Sequence, residues 1–225
     1  MNRRFGRVAV LDERDRDFRM AALIPAAKRR AIVRNWWDDG WWGDQGETSQ
    51  CVAYAWDHWL CDGPIRQPAG PNGYRYMTAE ALYYAAQKVD EVPGENYQGT
   101  SVRAGAKVLA SRGLIKSYHW AWDTATVIQA IKYIGPVVVG TDWYEGMMTP
   151  NARGVIRLRG QIVGGHAYVL NGVNTLTGLF RVKNSWGRAW GKKGHAYIRF
   201  ADMDRLLKAD GEACLATEVL LCAAP

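Results

Sequence analysis

Cysteine is scarce in this sequence, with four residues in a chain of 225. Cys214 and Cys222 lie in one strand-like run, where eight residues of extended chain would separate their Cα atoms by roughly 26 Å. A disulfide needs Cα atoms within about 7 Å, so these two cannot pair without a sharp bend. Cys61 is expected to be a buried free thiol. Because such cysteine usage is typical of a reducing compartment, we expect a cytoplasmic protein.

Long hydrophobic runs are also missing. No segment approaches the ~20 apolar residues that would span a membrane, and no basic stretch followed by an apolar core marks a signal peptide. No cluster has metal-ligand spacing, and no glycine-rich loop opens a helix in the phosphate-binding manner. We therefore expect neither a membrane partner nor a metal or other cofactor.

Charge of one sign is in excess but is not concentrated. The net charge of +7 and the pI near 9.3 would permit an acidic partner. However, the basic residues form scattered groups (Arg3-Arg4, Lys28 to Arg30, Lys192-Lys193) rather than a long stripe. Solvated surface charge is the favoured interpretation, and nucleic-acid binding is not expected. With 48% hydrophobic residues and no internal repeat, the chain predicts one compact domain, and we favour a monomer.

The stretch Gln-Gly-Glu-Thr-Ser-Gln-Cys at 45–51 opens an apolar run. Its turn residues predict a helix that begins at Cys51. At a helix N-terminus the unpaired amides and the macrodipole stabilise a thiolate, which is the reactive form of cysteine. Gln45 can fold back beside the same helix end and donate, with the Cys51 amide, to an oxyanion. The stretch therefore predicts a nucleophile with half of an oxyanion hole.

Two later segments supply a base and its orienting group. His166 opens an apolar run, Asn184 ends the next one, and turn residues lie between them at 174–178. An antiparallel hairpin centred near Leu176 brings His166 and Asn184 to neighbouring rungs at its open end. An Asn carbonyl that accepts from one ring nitrogen fixes the tautomer and leaves the other nitrogen for a thiol.

These residues resemble those of the papain family of cysteine peptidases, in its disulfide-poor prokaryotic or viral form. Gln45 and Cys51 keep the family's spacing, and 165–167, Gly-His-Ala, resembles the segment around its general base. The run 184–191, Asn-Ser-Trp-Gly-Arg-Ala-Trp-Gly, matches the family's Asn-Ser-Trp-Gly-x-x-Trp-Gly motif closely. The order Cys, His, Asn agrees, and weaker similarity covers 41–218.

The resemblance implies an α+β fold in a single domain, 1–225. A helical lobe near 41–118 would face a β-barrel-like lobe near 119–225, joined by an N-terminal arm, 1–40, with the active site in the cleft. A polypeptide substrate would be hydrolysed through a Cys51 thioester, with His166 as general base and acid, Asn184 orienting it and Gln45 as an oxyanion donor. The substrate-binding residues implied are Gly99, Thr100, Gly165, Trp186 and Glu218.

Hydrophobic periodicity sets the expected elements. Helices are predicted over 51–60, 78–89, 102–112 and 126–133. Strands are predicted over 137–141, 155–158, 166–173, 179–183, 196–200 and 213–220.

Two questions about substrate and regulation stay open at this point. An ungapped match of the last strand to the family puts Glu218 at the floor of the pocket for the residue two before the cut, which would favour Arg or Lys there. Matching on Cys214 puts Val219 there instead, and adjacent strand residues face opposite sides. The segment Arg3 to Arg34 is either a short regulatory arm or additional packing.

Other activities are also compatible with the sequence. An amidase, transpeptidase or other acyltransferase would use the same Cys-His-Asn site on a different donor or acceptor. A basic binding module without catalysis is the weaker alternative.

Overall fold

The computed structural model describes residues 3–24, 32–64, 77–93 and 97–218. The expected strand residues 219–220, including Val219, and Cys222 lie outside these ranges, as does part of the N-terminal arm. Five α-helices are described: α1 (Cys51–Cys61), α2 (Ala79–Gln87), α3 (Val102–Ser111), α4 (Thr124–Tyr133) and α5 (Phe200–Lys208). None of these helices is both long and apolar enough to cross a bilayer.

Seven antiparallel strands form one sheet within the described residues. They are β1 (Arg34–Trp36), β2 (Ile115–Ala121), β3 (Val137–Tyr144), β4 (Ile162–Asn174), β5 (Leu179–Lys183), β6 (His195–Arg199) and β7 (Glu212–Glu218). The strand order is β2-β7-β3-β4-β5-β6, and β1 pairs with the end of β4 that extends beyond β3. The α+β fold expected from sequence is confirmed. The sheet is open, however, rather than closed into a barrel.

Helix α1 is buried along almost its whole length, at ten of its eleven residues. Trp56 of this helix donates its indole N–H to the Val102 carbonyl at 3.0 Å. Three of the other helices begin at short polar side chains that accept from free amides: Thr78 for α2, Ser101 for α3 and Asp123 for α4. One apolar cluster joins α1, α2 and α3, and a second joins the sheet to α4 and α5.

The predicted β4–β5 hairpin forms in the predicted register. Val169 lies opposite Lys183, and Leu170 lies opposite Val182, with a bulge beyond them. The strand expected over 155–158 is wrong, because only an isolated bridge from Val155 to Tyr197 forms there. Sequence periodicity also missed β1, β2 and α5. The last of these buries only Met203, Leu206 and Leu207 on one face.

Candidate active site

Cys51 occupies the first position of α1, as its sequence context predicts. The preceding residue, Gln50, makes no side-chain cap, and the Val52 amide of the first turn bonds to the Cys51 sulfur. The side chain is completely buried, against backbone of both α1 and β4. Cys51, Cys61 and Cys214 form no disulfide in the part of the chain that the structure describes.

His166 and Asn184 meet at the open end of the β4–β5 hairpin. His166 Nε2 lies 2.8 Å from Asn184 Oδ1, and the same oxygen accepts from the Ser185 amide at 2.8 Å. Because that oxygen is an acceptor, His166 must carry its proton on Nε2. Its Nδ1 is buried and has no hydrogen-bond partner among the described residues. The histidine therefore presents an unprotonated nitrogen, the form a base needs.

Gln45 contacts the segment that follows Asn184 and the loop that precedes α1, and it is 2% exposed. Ser185 Oγ donates to its Oε1 at 2.6 Å, which orients the amide, and the Gln45 backbone N–H donates to the Ser185 carbonyl at 2.8 Å. Gln45 Nε2 then donates to the Thr48 carbonyl at 2.7 Å and to the Arg4 carbonyl at 3.2 Å. The segment after Asn184 thus holds Gln45 with its donor directed at a peptide oxygen.

Aromatic rings enclose the histidine. The Trp186 ring lies 5.1 Å from the His166 ring, and the Trp143 ring approaches at 4.8 Å, nearly perpendicular. Both tryptophans are buried. Sequence reasoning identified Trp186 but missed Trp143, which belongs to β3. The only signal for it was its place two residues beyond the predicted strand 137–141, where the alternation of side chains continues.

An N-terminal segment, residues 3–8, crosses the site, and we call it the strap. The Gly6 and Arg7 amides donate to the Gly165 carbonyl at 3.2 and 2.9 Å. On the other side, Thr100 donates to the Gly6 carbonyl at 2.8 Å, and Val8 donates to the Thr100 carbonyl at 2.9 Å. The strap therefore adds an extended chain between the two walls of the cleft.

The fit of the strap depends on glycine at its centre. A Cβ on Gly6 would lie 1.9 Å from the Ser49 carbonyl oxygen, and one on Gly99 would lie 2.5 Å from the Gly6 oxygen. Phe5 contacts the His166 ring edge-on, with ring centroids 5.7 Å apart. Arg3 pairs with Asp44 and donates to the Trp186 carbonyl at 3.1 Å. The strap is thus held on both sides of the thiol.

Burial in the described form shifts both titratable groups of the site toward their neutral forms. Desolvation raises the pKa of Cys51 to about 11, although hydrogen bonds from the backbone of Ala167, Gly6 and Val52 oppose the rise. Desolvation also lowers the pKa of His166 to about 4, against the opposing effect of its bond to Asn184. The reactive thiolate expected from sequence is therefore disfavoured while the strap is in place.

The residues predicted to bind substrate divide into two groups. Gly99, Thr100 and Gly165 line the path of the strap, and Trp186 lies over His166. Glu218 pairs with Ile115 through its backbone at the far end of β7, and its side chain lies outside the described part of the structure.

Known proteins resemble this chain in sequence and in fold. The family model described as papain family cysteine protease matches residues 60–217, a range that includes His166 and Asn184 and begins after Cys51. An uncharacterized peptidase C1-like protein, L477, of Acanthamoeba polyphaga mimivirus is 24% identical over 195 residues, covering 68% of this chain. The chain spans 62% of the length of that viral protein.

Solved structures share the fold. Xylellain, a cysteine protease from Xylella fastidiosa, superposes with a TM-score of 0.71 at 18% identity and 97% coverage of both chains. Digestive procathepsin L 3 of Tenebrio molitor larval midgut gives a TM-score of 0.61 at 14% identity, over 86% of this chain and 72% of the other. With the family model covering most of the sequence, the chain belongs to the papain family of cysteine proteases.

Proposed function

We propose that this protein hydrolyses peptide bonds through a thioester on Cys51. The proposal rests on one observation, that Gln45 Nε2 donates to the main-chain carbonyl of Arg4 at 3.2 Å. The amide that would hold an oxyanion is thus already bonded to a peptide oxygen of the segment that crosses the thiol. An oxyanion donor has to be directed at such an oxygen before the reaction begins.

In the proposed first half-reaction, His166 Nδ1 takes the Cys51 proton and the sulfur bonds to the substrate carbonyl carbon. The carbonyl oxygen becomes an oxyanion that the Gln45 side chain and the Cys51 amide stabilise. Collapse of this intermediate breaks the C–N bond, and His166 returns the proton to the leaving amine. Asn184 keeps the ring in the required tautomer throughout.

In the second half-reaction, water replaces the amine. His166 takes a proton from the water as its oxygen bonds to the thioester carbon, and the same donors hold the oxyanion. The C–S bond then breaks, the carboxylic acid leaves, and the His166 proton neutralises the thiolate. Trp186 and Trp143 keep bulk water from the histidine.

The strap makes the described form a latent one. Gly6 lies at the thiol, and the Arg4 carbonyl uses the Gln45 donor that a substrate would need. Of the two sequence interpretations of the N-terminal arm, we favour the regulatory one for residues 3–8. The strap has to leave the cleft before a peptide enters.

The test uses a variant in which the strap cannot bind in the cleft. Gly6→Val adds a side chain where even a Cβ would lie 1.9 Å from the Ser49 oxygen, and Ala9→Val is the control, since Ala9 is an exposed arm residue. A peptide library is incubated with both variants and with Gly6→Val/Cys51→Ala. We expect cleavage to rise in Gly6→Val and to vanish with Cys51. Cleavage that persists without Cys51, or an alkylatable Cys51 with no cleavage of any peptide, would overturn the proposal.

The amidase and acyltransferase alternatives would use the same residues. No contact that the described residues make in the cleft favours them over hydrolysis. Product analysis of Gly6→Val with and without added amines separates the two classes, since a transferase yields an amide of the added amine and a hydrolase yields the free acid.

A further inference from the structure

The strap lies where a substrate would lie, but its chain runs in the opposite direction to that of a substrate. The leaving amine of a substrate must lie on the His166 side of the thiol, because His166 protonates it. That side is occupied by Phe5, which contacts the His166 ring. The acyl part must therefore extend the other way, past Gly6 toward Arg7.

This geometry assigns a substrate position to the site of Arg7. Gly6 lies at the thiol, where the residue immediately before the cut would lie. Arg7 comes next, bridged to Thr100 on one wall and bonded to the Gly165 carbonyl on the other. The side chain of Arg7 thus fills the pocket that would take the second residue before the cut.

The pocket around Arg7 is built for a guanidinium. Arg7 Nε donates to Glu212 Oε1 at 3.1 Å, and Nη2 donates to the Asp210 carbonyl at 2.6 Å. The two side chains are 3% and 9% exposed. Glu212 is the first residue of β7 and lies opposite Gly140 of β3. A Cβ on Gly140 would lie 2.9 Å from both Arg7 Nε and Glu212 Oε1, so this glycine provides the space.

The charge of Glu212 has no other direct partner that the structure records. The nearby Arg103 forms its own ion pair with Asp15. When the strap leaves, Glu212 stays in the wall of the cleft and loses its guanidinium. Leaving a carboxylate buried without a partner costs free energy. A ligand that restores the ion pair should therefore bind more tightly than one that does not. A cavity of about 370 Å³ lies beside the pair, and both residues line it.

We propose that Glu212 is the specificity-determining residue of this enzyme and selects peptides with arginine two residues before the scissile bond. Arg7 fills the same pocket in the latent form. This inference rests on the proposed peptidase activity. It replaces the sequence-based assignment of Glu218 with a carboxylate six residues earlier on the same strand. Glu212 is a binding residue and takes no part in bond breaking.

The experiment compares substrates that differ only at that position. Fluorogenic peptides carry arginine, citrulline or leucine there, and kcat/KM is measured with the full chain bearing Gly6→Val. Citrulline has the shape of arginine without its charge. A strap that still competes for the cleft reduces kcat/KM for every substrate by the same factor, so the ratios report the pocket alone. We expect arginine to exceed citrulline by about 10²-fold, the size expected for a buried charged pair.

Three further variants test whether Glu212 is the residue that selects arginine. Glu212→Gln should bring the arginine-to-citrulline ratio close to one, and Gly140→Ala should lower arginine cleavage by filling the pocket without removing the charge. Glu80→Gln, an exposed carboxylate on α2, is the control and should keep the ratio. Because Gly140→Ala and Glu212→Gln act differently, a folding failure in one leaves the other decisive.

The outcomes separate this inference from the function on which it rests. If peptides are cleaved with no preference for arginine, or if Glu212→Gln keeps the ratio, the pocket serves only to hold the strap and the inference is overturned. If Glu218→Gln abolishes the ratio instead, the sequence-based assignment is right and ours is wrong. If no peptide is cleaved at all, the proposed function fails and the subsite fails with it.

Discussion

Gln45 acquires its role from the residue next to Asn184. Ser185 Oγ and the Ser185 carbonyl both bind Gln45, so one short segment orients the histidine through Asn184 and the proposed oxyanion donor through Ser185. This coupling explains why the amide stays directed at a peptide oxygen in a buried position. It was not evident from the sequence, where these residues lie 140 positions apart.

Replacing Gln45 should slow catalysis without loosening substrate binding. In the Gly6→Val background, Gln45→Ala should lower kcat by roughly 10²–10³-fold, because one of two oxyanion donors is lost. KM and the rate of Cys51 alkylation should change little. Steady-state kinetics measure this, with Gln161→Ala, an exposed amide, as control. Full activity in Gln45→Ala would assign the oxyanion contact to another group.

The reactivity of Cys51 should depend on the strap. Burial holds the pKa of Cys51 at about 11 in the closed form, so iodoacetamide at pH 6 should label it slowly. In Gly6→Val the thiol regains water and the helix N-terminus, and labelling should become rapid. Cys214 should stay inert, since burial and nearby Glu212 raise its pKa well above the ordinary value. Peptide mapping identifies the labelled residue. Cys61 or Cys214 labelled before Cys51 would contradict the assignment.

At the scale of elements, a buried ion pair joins the end of α1 to β5. Lys183 pairs with Asp62 just past the helix, and both side chains are inaccessible. Asn171 of β4 donates to Asp62 Oδ2 at 2.9 Å, and the Asp62 carboxylate also accepts from the Gly40 amide at 2.9 Å. Lys183 directly precedes Asn184. The pair therefore ties the helix that begins at Cys51 to the strand that ends beside His166.

Breaking this pair from one side should be costly. Lys183→Met leaves Asp62 buried and unpaired, and we expect the free energy of unfolding to fall by about 3–5 kcal/mol. The double variant Asp62→Asn/Lys183→Met removes both charges and should recover part of that loss. Urea unfolding measures these two variants and Asp62→Asn alone. A single variant as stable as the parent, or a double variant less stable than the sum of the two single losses, would show that the pair does not act as a buried unit.

The sequence predicted the elements whose patterns are local and missed those that depend on partners. The β4–β5 hairpin followed from turn residues and alternation, and His166 met Asn184 as expected. β2 forms because β7 pairs with it from about one hundred residues away, and no local pattern announces that. The barrel expectation was inherited from the family, whereas the described sheet is open. The strap was also beyond sequence reasoning, because its fit depends on the absence of a Cβ at Gly6 facing Ser49.

At the scale of the whole molecule, the latent form should depend on pH. The pKa of His166 falls from an ordinary 6.5 to about 4 in the closed form. Between pH 6.5 and 4, His166 is therefore protonated in the open form and neutral in the closed form. Its contribution to closure is fully present above pH 6.5 and is lost as the pH falls toward 4. Opposing effects act on Glu212, because departure of the strap removes part of the burial that raises its pKa to about 6 and also the Arg7 charge that lowers it. His166 therefore sets the direction, so acid should open the strap.

Hydrogen exchange of the Gly6, Arg7 and Val8 amides measures this opening. After correction for intrinsic exchange rates, protection of these amides should fall as the pH is lowered from 7 to 4. Protection in the core of α1 should stay constant over the same range, which provides the internal control. Protection of the strap that is constant or rises on acidification would contradict the prediction.

Because the strap belongs to the same chain as the cleft it fills, dilution cannot remove it. The following segment is anchored as well, through the ion pair of Asp15 with Arg103 and the bridge from Arg19 to Trp120, so the tether is short. Short tethers give effective concentrations in the millimolar range. A free peptide with the sequence of residues 3–8 would therefore need millimolar amounts to inhibit an opened enzyme equally well. Activity should appear only after the strap has left the cleft, and this delay should likewise be independent of protein concentration. If one molecule cuts the strap of another, the delay shortens as the protein is concentrated.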